Sequence, residues 1–262
     1  VSREGFLEIG GQKIAYLERG RGAPVVFLHG LLDNRKLWDK VFHALPLSFF
    51  RRFQAITLNF PPYDGEFNLK TLPAILRKLF GQLDVPEVIL AGYSLGSLVS
   101  LRFASLYPKQ VKRLILISAP IATNVRAQAL CRLRTRLKKG ERIDKIEKIL
   151  KGHPRLTKKI VGPTGFNYKL LTRGDVLGPL SACLNDLCDY DWQNGIKNIT
   201  CPTLCLYGKK DIFLSLLGSR KLYPTITSVS IAAVEGNHFL PTGKAKEVAS
   251  FIFDFLRDND PG

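Results

Sequence analysis

Gly92-Tyr93-Ser94-Leu95-Gly96 stands directly after an apolar run and directly before a stretch with helical periodicity. A serine at a sharp strand-to-helix turn takes a strained backbone conformation that pushes its hydroxyl outward, and small neighbours keep adjacent segments from colliding with it. Gly92 and Gly96 meet that need, so Ser94 is the candidate nucleophile. A serine hydroxyl attacks poorly until a base removes its proton. His238, in Glu235-Gly236-Asn237-His238-Phe239 just after the last apolar run, is placed to be that base. An imidazole in this role needs a carboxylate to fix its tautomer and stabilise its cation. Asp211 follows the apolar run Thr203 to Tyr207 through Gly208-Lys209-Lys210 and is the expected partner. Its rivals are Asp189, Asp191 and Glu235, none of which stands at the carboxyl end of a strand expected in the middle of a sheet. The chemistry such a set performs is transfer of an acyl group to water.

The tetrahedral intermediate of that reaction carries a negative oxygen, which calls for N–H donors already aimed at it. The Leu95 N–H falls at a helix N-terminus, where unpaired donors and the helix dipole favour negative charge. A second donor is expected from the loop after an earlier strand. In Leu28-His29-Gly30-Leu31-Leu32, Gly30 lets the backbone turn so that the Leu31 N–H faces the site. His29 is expected to hold that loop by hydrogen bonds. The chain has no Cys-x-x-Cys pair, and its histidines (29, 43, 153 and 238) do not pair at helical metal-ligand spacing, so neither metal nor cofactor is expected.

The elements that must position these residues alternate along most of the chain, the pattern of an α/β protein with a mostly parallel sheet. Phe6 to Glu18, broken by Gly10-Gly11, reads as an antiparallel hairpin at a sheet edge. Pro24–Leu28, Phe53–Leu58, Glu87–Ala91, Val111–Ile117, Thr203–Tyr207 and Thr227–Val234 read as strands, several too uniformly apolar to be half exposed. Leu69–Leu79, Leu95–Leu106 and Lys244–Arg257 carry apolar residues at helical spacing. Residues 122–191 break the rhythm, with helical periodicity and no clear strand, and are expected to form an inserted helical cap on a core of 1–121 and 192–262.

The 262 residues, 45% hydrophobic and 23% charged, suffice for one buried core and exclude a disordered polymer. Val88 to Leu101 is free of charge for only 14 residues and holds two glycines and three serines, so no transmembrane segment is expected. Five cysteines, an odd number in a chain of this length, are expected to be reduced thiols. The opening residues lack the basic-then-apolar layout of a secretory signal, and a cytoplasmic location is the expectation.

His29-Gly30, Gly92-x-Ser94-x-Gly96, Asp211 and Gly236-Asn237-His238 resemble the signature set of the α/β-hydrolase superfamily, and the likeness runs through essentially the whole chain. The resemblance implies an eight-stranded, mostly parallel sheet with helices on both faces. It also implies a cap inserted after the sixth strand, whose end is expected at Ile117-Ser118-Ala119-Pro120. One departure stands out. Where many relatives carry Asp-x-Pro-Gly-x-Gly after the fourth strand, this chain has Asn59-Phe60-Pro61-Pro62-Tyr63-Asp64-Gly65. Serine at the elbow, where the family's dehalogenases and epoxide hydrolases use Asp, points to a carboxylic ester hydrolase. Carbon–carbon bond hydrolases and cofactor-free haloperoxidases share the same triad.

Arg126 to Arg173 holds fifteen Lys or Arg against three acids (Glu141, Asp144 and Glu147), a net +12 of the chain's +17. Leu130, Leu133 and Leu137, then Ile143, Ile146 and Ile149, recur at helical spacing among these charges. Two readings stand for these basic helices: a solvated outer face, or a surface that docks an anionic partner. Arg132, Arg136, Arg142 and Lys145 are the candidate contacts, and an acidic acyl carrier protein, a coenzyme A thioester or an anionic lipid surface are the candidate partners. In layout the chain is similar to the pimeloyl-acyl-carrier-protein methyl ester esterases of biotin synthesis, which present a basic cap to an acidic carrier. That likeness implies a methyl or short-alkyl ester of a carrier-bound acyl chain as substrate. The alternatives are a lipid or monoacylglycerol esterase, an acyl thioesterase and a hydrolase-fold binding protein without turnover. Nucleic acid is not an expected partner, since no recognised binding module occurs.

Overall fold

The computed structural model describes residues 2–60, 67–121, 182–183, 186–187, 189–190, 192–211 and 223–258. Gly10 and Gly11, with φ of 58° and 78°, make the two-residue turn that the right-handed twist of a hairpin favours. They join β1 (Ser2–Ile9) to β2 (Gln12–Gly20), a longer hairpin than the apolar residues alone predict. The remaining strands are β3 (Ala23–Leu28), β4 (Phe53–Leu58), β5 (Val88–Tyr93), β6 (Val111–Ile117), β7 (Thr203–Gly208) and β8 (Val229–Val234). They form one eight-stranded sheet in the order β1-β2-β4-β3-β5-β6-β7-β8. β1 and β2 are antiparallel to their neighbours and every other pairing is parallel.

The uniformly apolar runs are explained by burial on both faces, since alternate residues of a strand point to opposite sides. Val26, Leu28, Leu90, Leu114 and Leu116 pack under α3 (Leu72–Gln82) and α4 (Leu95–Leu106) through Leu76, Phe80, Leu98 and Phe103. Val25, Phe27, Ile89, Ile115 and Leu206 face the other layer. There Trp38 of the short turn Arg35–Trp38, Phe42 of α1 (Asp39–Ala44) and Phe49 of α2 (Leu47–Arg52) meet Val248, Ile252 and Leu256. Trp192–Lys197 (α5), Leu240–Gly243 (α6) and Ala245–Asp258 (α7) are further helices.

Several boundaries differ from the sequence expectation, three of them instructively. α3 begins at Leu72 rather than Leu69, because the Asn68 side chain accepts the Lys70 and Thr71 N–H groups and holds those residues in a turn. β5 runs on to Tyr93, up to the candidate nucleophile itself. β8 starts at Val229 rather than Thr227 and lies at the sheet edge, with Ile231 42% exposed. Most of the expected cap lies outside the described residues. Where its far end is described, Asp186 accepts the Leu69 N–H at 3.0 Å and the Arg102 guanidinium lies 4.3 Å over the Tyr190 ring. Cys201 and Cys205 are free thiols, while Cys131 and Cys188 lie outside the described residues.

The chain order reverses direction between β3 and β5. β4 lies to one side of this pair and β6 to the other, so the loops after β3 and β5 diverge and leave a crevice at the carboxyl ends of the strands. The loop after β3 is held there by His29. Its Nδ1–H donates to the Gly30 carbonyl at 2.7 Å, its Nε2 accepts the Phe60 N–H at 2.9 Å, and its ring lies 5.0 Å from that of Phe60. Only a neutral imidazole can make both bonds.

Burial holds the His29 imidazole down to about 4, against an ordinary value of 6.5. As pH falls, the unfolded chain therefore binds this proton first, so the associated stability is complete above about 6.5 and is lost toward about 4. In urea unfolding at pH 7.5 and 4.5, the stability of the wild type relative to His29→Gln is expected to drop by about 2 to 3 kcal/mol at the lower pH. An unchanged difference would show that this imidazole does not govern the loop's acid response.

Candidate active site

Ser94 sits between β5 and α4 with φ 50° and ψ −113°, a conformation that costs a residue other than glycine of order 1–3 kcal/mol. The surroundings enforce it. A Cβ on Gly92 would collide with the Gly96 carbonyl, and one on Gly96 would collide with the carbonyl oxygens of Leu28 and His29. The turn can therefore tighten only because both flanking positions are glycine. The Ser94 N–H donates to the Ile117 carbonyl at 2.9 Å, and the Ser94 carbonyl accepts from the N–H groups of Ser97 and Leu98 at 3.0 and 3.2 Å. Ser97, wholly buried, donates its hydroxyl to the Gly92 carbonyl at 2.6 Å and accepts the Ile117 N–H at 3.0 Å. Sequence reasoning missed this brace; its trace is the pair Ser97 and Ser100, one turn apart in a helix of otherwise mostly apolar residues.

His238 and Asp211 reach the serine from the ends of β8 and β7. His238 Nε2 lies 3.0 Å from Ser94 Oγ, and His238 Nδ1 lies 2.8 Å from Asp211 Oδ2. Because the carboxylate can only accept, Nδ1 carries the proton and the Nε2 lone pair faces the serine hydroxyl. The two loops that carry these residues are stitched together. The Lys209 and Lys210 N–H groups donate to the carbonyls of Val234 and Gly236, each at 2.9 Å, and Gly208 has no room for a Cβ against the Gly236 and Asn237 carbonyls. Asn237 Oδ1 accepts the Phe239 N–H at 3.0 Å and so closes a turn around His238. The Tyr93 and Phe239 rings stand 5.5 and 5.8 Å from the imidazole. Burial, reinforced by the negative charges of Asp33 and Asp211, pushes the Tyr93 phenol well above its ordinary value and keeps it neutral.

Asp211 is wholly buried, as a carboxylate that must work at short range to one imidazole requires. Among its sequence rivals, Glu235 is exposed and paired with Lys209 at 2.6 Å, which holds its carboxyl below the ordinary value. Asp189 is exposed, and Asp191 lies outside the described residues.

Of the two expected oxyanion donors, Leu95 directly follows the serine and Leu31 stands in the loop after β3. Leu95 is the first residue of α4, whose initial N–H groups have no acceptor within the helix. On the other side, a Cβ on Gly30 would stand 3.4 Å from the Ser94 Cβ and 3.0 Å from the Tyr93 ring, so the Gly30-Leu31 backbone lies against the elbow. Among the described residues no group of three His, Cys, Asp or Glu side chains could hold a metal ion. Arg132, Arg136, Arg142 and Lys145 lie outside the described residues. No described helix is long and apolar enough to cross a membrane.

Comparison with known proteins agrees with this fold. Residues 23–185 match the family model for the alpha/beta hydrolase fold. An uncharacterized protein of Mycobacterium tuberculosis is 31% identical over 117 residues, which cover 44% of this chain and 34% of that protein, so the match spans about a third of the relative's length. (E)-2-((N-methylformamido)methylene)succinate hydrolase of Acinetobacter baylyi is 25% identical over 217 residues, covering 75% of each chain. The crystal structure of a bromoperoxidase from Bacillus anthracis superposes with a TM-score of 0.76 at 20% identity, covering 97% of this chain and 100% of that one. With the model matched over well more than half of its residues, this chain belongs to the alpha/beta hydrolase fold family.

Proposed function

We propose that this protein hydrolyses a carboxylic ester through an acyl-enzyme on Ser94. The observation that carries this reading is the unbroken hydrogen-bonded line from Asp211 through His238 to Ser94 Oγ. In the proposed reaction Ser94 Oγ attacks the ester carbonyl while His238 Nε2 takes its proton, and the Leu31 and Leu95 N–H groups receive the oxyanion. The tetrahedral intermediate collapses, the C–O bond to the alcohol breaks, and His238 returns the proton to the departing alkoxide. Water then attacks the acyl-enzyme with His238 again as base, releasing the acid and restoring the Ser94 hydroxyl. Asp211 stabilises the imidazolium formed in each half.

The proposed substrate is a methyl or short-alkyl ester of an acyl chain on an acidic carrier protein, met by a cap of residues 122–191 in the cytoplasm. Support for the carrier comes from the net +12 between Arg126 and Arg173, since clustered charge raises the encounter rate of an oppositely charged partner. The hydrolase of Acinetobacter baylyi, similar over three quarters of the chain, supports hydrolysis as the reaction class.

Ser94→Ala and His238→Ala are each expected to lower kcat/KM for a p-nitrophenyl ester by about four to six orders of magnitude, and the double variant to lose only a few-fold more, because the two act as one unit. Losses that multiply in the double variant would overturn the assignment. Asp211→Asn is expected to fall at the mild end of that range, with a loss of about 10⁴-fold. For the carrier, reversing charge at Arg132, Arg136, Arg142 and Lys145 together is expected to lower kcat/KM on a carrier-bound ester about ten-fold or more and to flatten its dependence on salt. The same protein should still hydrolyse p-nitrophenyl acetate at the wild-type rate. Equal loss on both substrates would mean a damaged cap, and no loss on either a merely solvated face.

A further inference from the structure

β3 and β4 run parallel with Leu28 beside Leu58, so residues 29 and 59 leave the sheet side by side. Beyond that point the ladder is continued by side chains, one from each strand. His29 accepts the Phe60 N–H, and in the opposite direction Asn59 Oδ1 accepts the Arg35 N–H at 2.8 Å. The Asn59 backbone is itself anchored, its N–H donating to the Ala15 carbonyl of β2 at 2.9 Å, so the amide is mounted on the sheet. Asn59 is not needed as a helix cap, because Asn34 already caps the Arg35–Trp38 turn by accepting the Lys36 N–H at 2.9 Å.

Between the two attachment points lies the stretch that holds Leu31. Within it the Asp33 N–H donates to the Gly30 carbonyl at 3.3 Å, and Leu32 stands in the left-handed region with φ 61°. That region is unfavourable for a leucine, so a loop freed at one end would relax out of it and turn the preceding peptide groups.

We propose that Asn59 is a positioning residue that anchors the loop at Arg35 and so keeps the Leu31 N–H aimed at the oxyanion formed on Ser94. This inference rests on the reading of Ser94 as nucleophile. Asn59 touches no reacting atom and acts through residues 30–35. An N–H aimed where charge develops works mainly in the transition state, so losing its aim lowers kcat and leaves KM nearly unchanged.

The test compares Asn59→Leu, which has the same branched skeleton but no acceptor, with Asn59→Asp, which keeps one. Asn59→Leu is expected to lower kcat on a p-nitrophenyl ester about ten- to a hundred-fold with KM within about two-fold. It should weaken inhibition by a trifluoromethyl ketone, whose serine adduct carries an oxyanion, by the same factor, and speed amide exchange at Arg35, whose N–H Asn59 accepts. Asn59→Asp should restore all three. If Asn59→Leu does not fold, Asn59→Ser, whose hydroxyl stands too far back to reach Arg35, serves in its place. Loss of thermal stability with kcat and ketone affinity intact would overturn the proposal, as would Asn59→Asp behaving like Asn59→Leu. A wild-type protein that turned over no ester would instead overturn the reading of Ser94. The anchor would then be judged by exchange alone, and unchanged exchange at Arg35 in Asn59→Leu would overturn it.

Discussion

A left-handed backbone at Ser94 is the constraint around which the rest of the structure is organised. Left to itself, a serine would leave that conformation for an ordinary helical or extended one. It stays because the carbonyls of Leu28, His29 and Gly96 occupy the space a wider turn would need, and because the turn is bonded at both ends to Ile117 and Ser97. The strain is thus held by the packing of α4 onto the sheet. Leu98, Phe103 and their neighbours, whose side chains lie in the core, act on the site because they press that helix down.

Parallel pairing does the remaining work of assembly. Ser94, Asp211 and His238 are separated by long stretches of chain, yet each follows a strand that runs in the same direction, so all three emerge at one edge of the sheet. The reversal of strand order between β3 and β5 opens the crevice at the same edge and brings the loop after β3 against the serine. Hydrogen bonds between the loops after β7 and β8 then replace the ladder that the strands can no longer supply. Position along the chain matters little in this scheme; strand direction matters a great deal.

Which parts were legible in the sequence follows from the range of the forces involved. Ser94, His238 and Asp211 each stand just past an apolar run with glycine beside them, so local pattern and turn chemistry point to them. Strand cores such as Phe53–Leu58 and Val111–Ile117, and the whole of α4, were legible for the same reason: their burial is written as composition. The helices Asp39–Ala44 and Leu47–Arg52 are too short for a 3.6-residue period to stand out. Ser97 and Asn59 were hidden for another reason. Each works by a side-chain bond to a backbone group 20 or 24 residues away, and no local pattern encodes that partner. The late start of α3 came from a competition between the Asn68 side chain and the helix, which periodicity does not register.

The two edges of the sheet are unlike each other. β1 presents Arg3, Glu4 and Glu8 to solvent, and a strand arriving from another molecule would have to strip water from those charges before pairing. β8 reads Val-Ser-Ile-Ala-Ala-Val, carries no charge, and shows Ile231 to solvent. Among the described residues, nothing on that strand's own surface discourages strand addition. If copies of this protein associate wrongly when crowded or partly unfolded, the sheet extends from the β8 side, and a lysine placed at the exposed Ser230 or Ala233 is where a gatekeeper is missing.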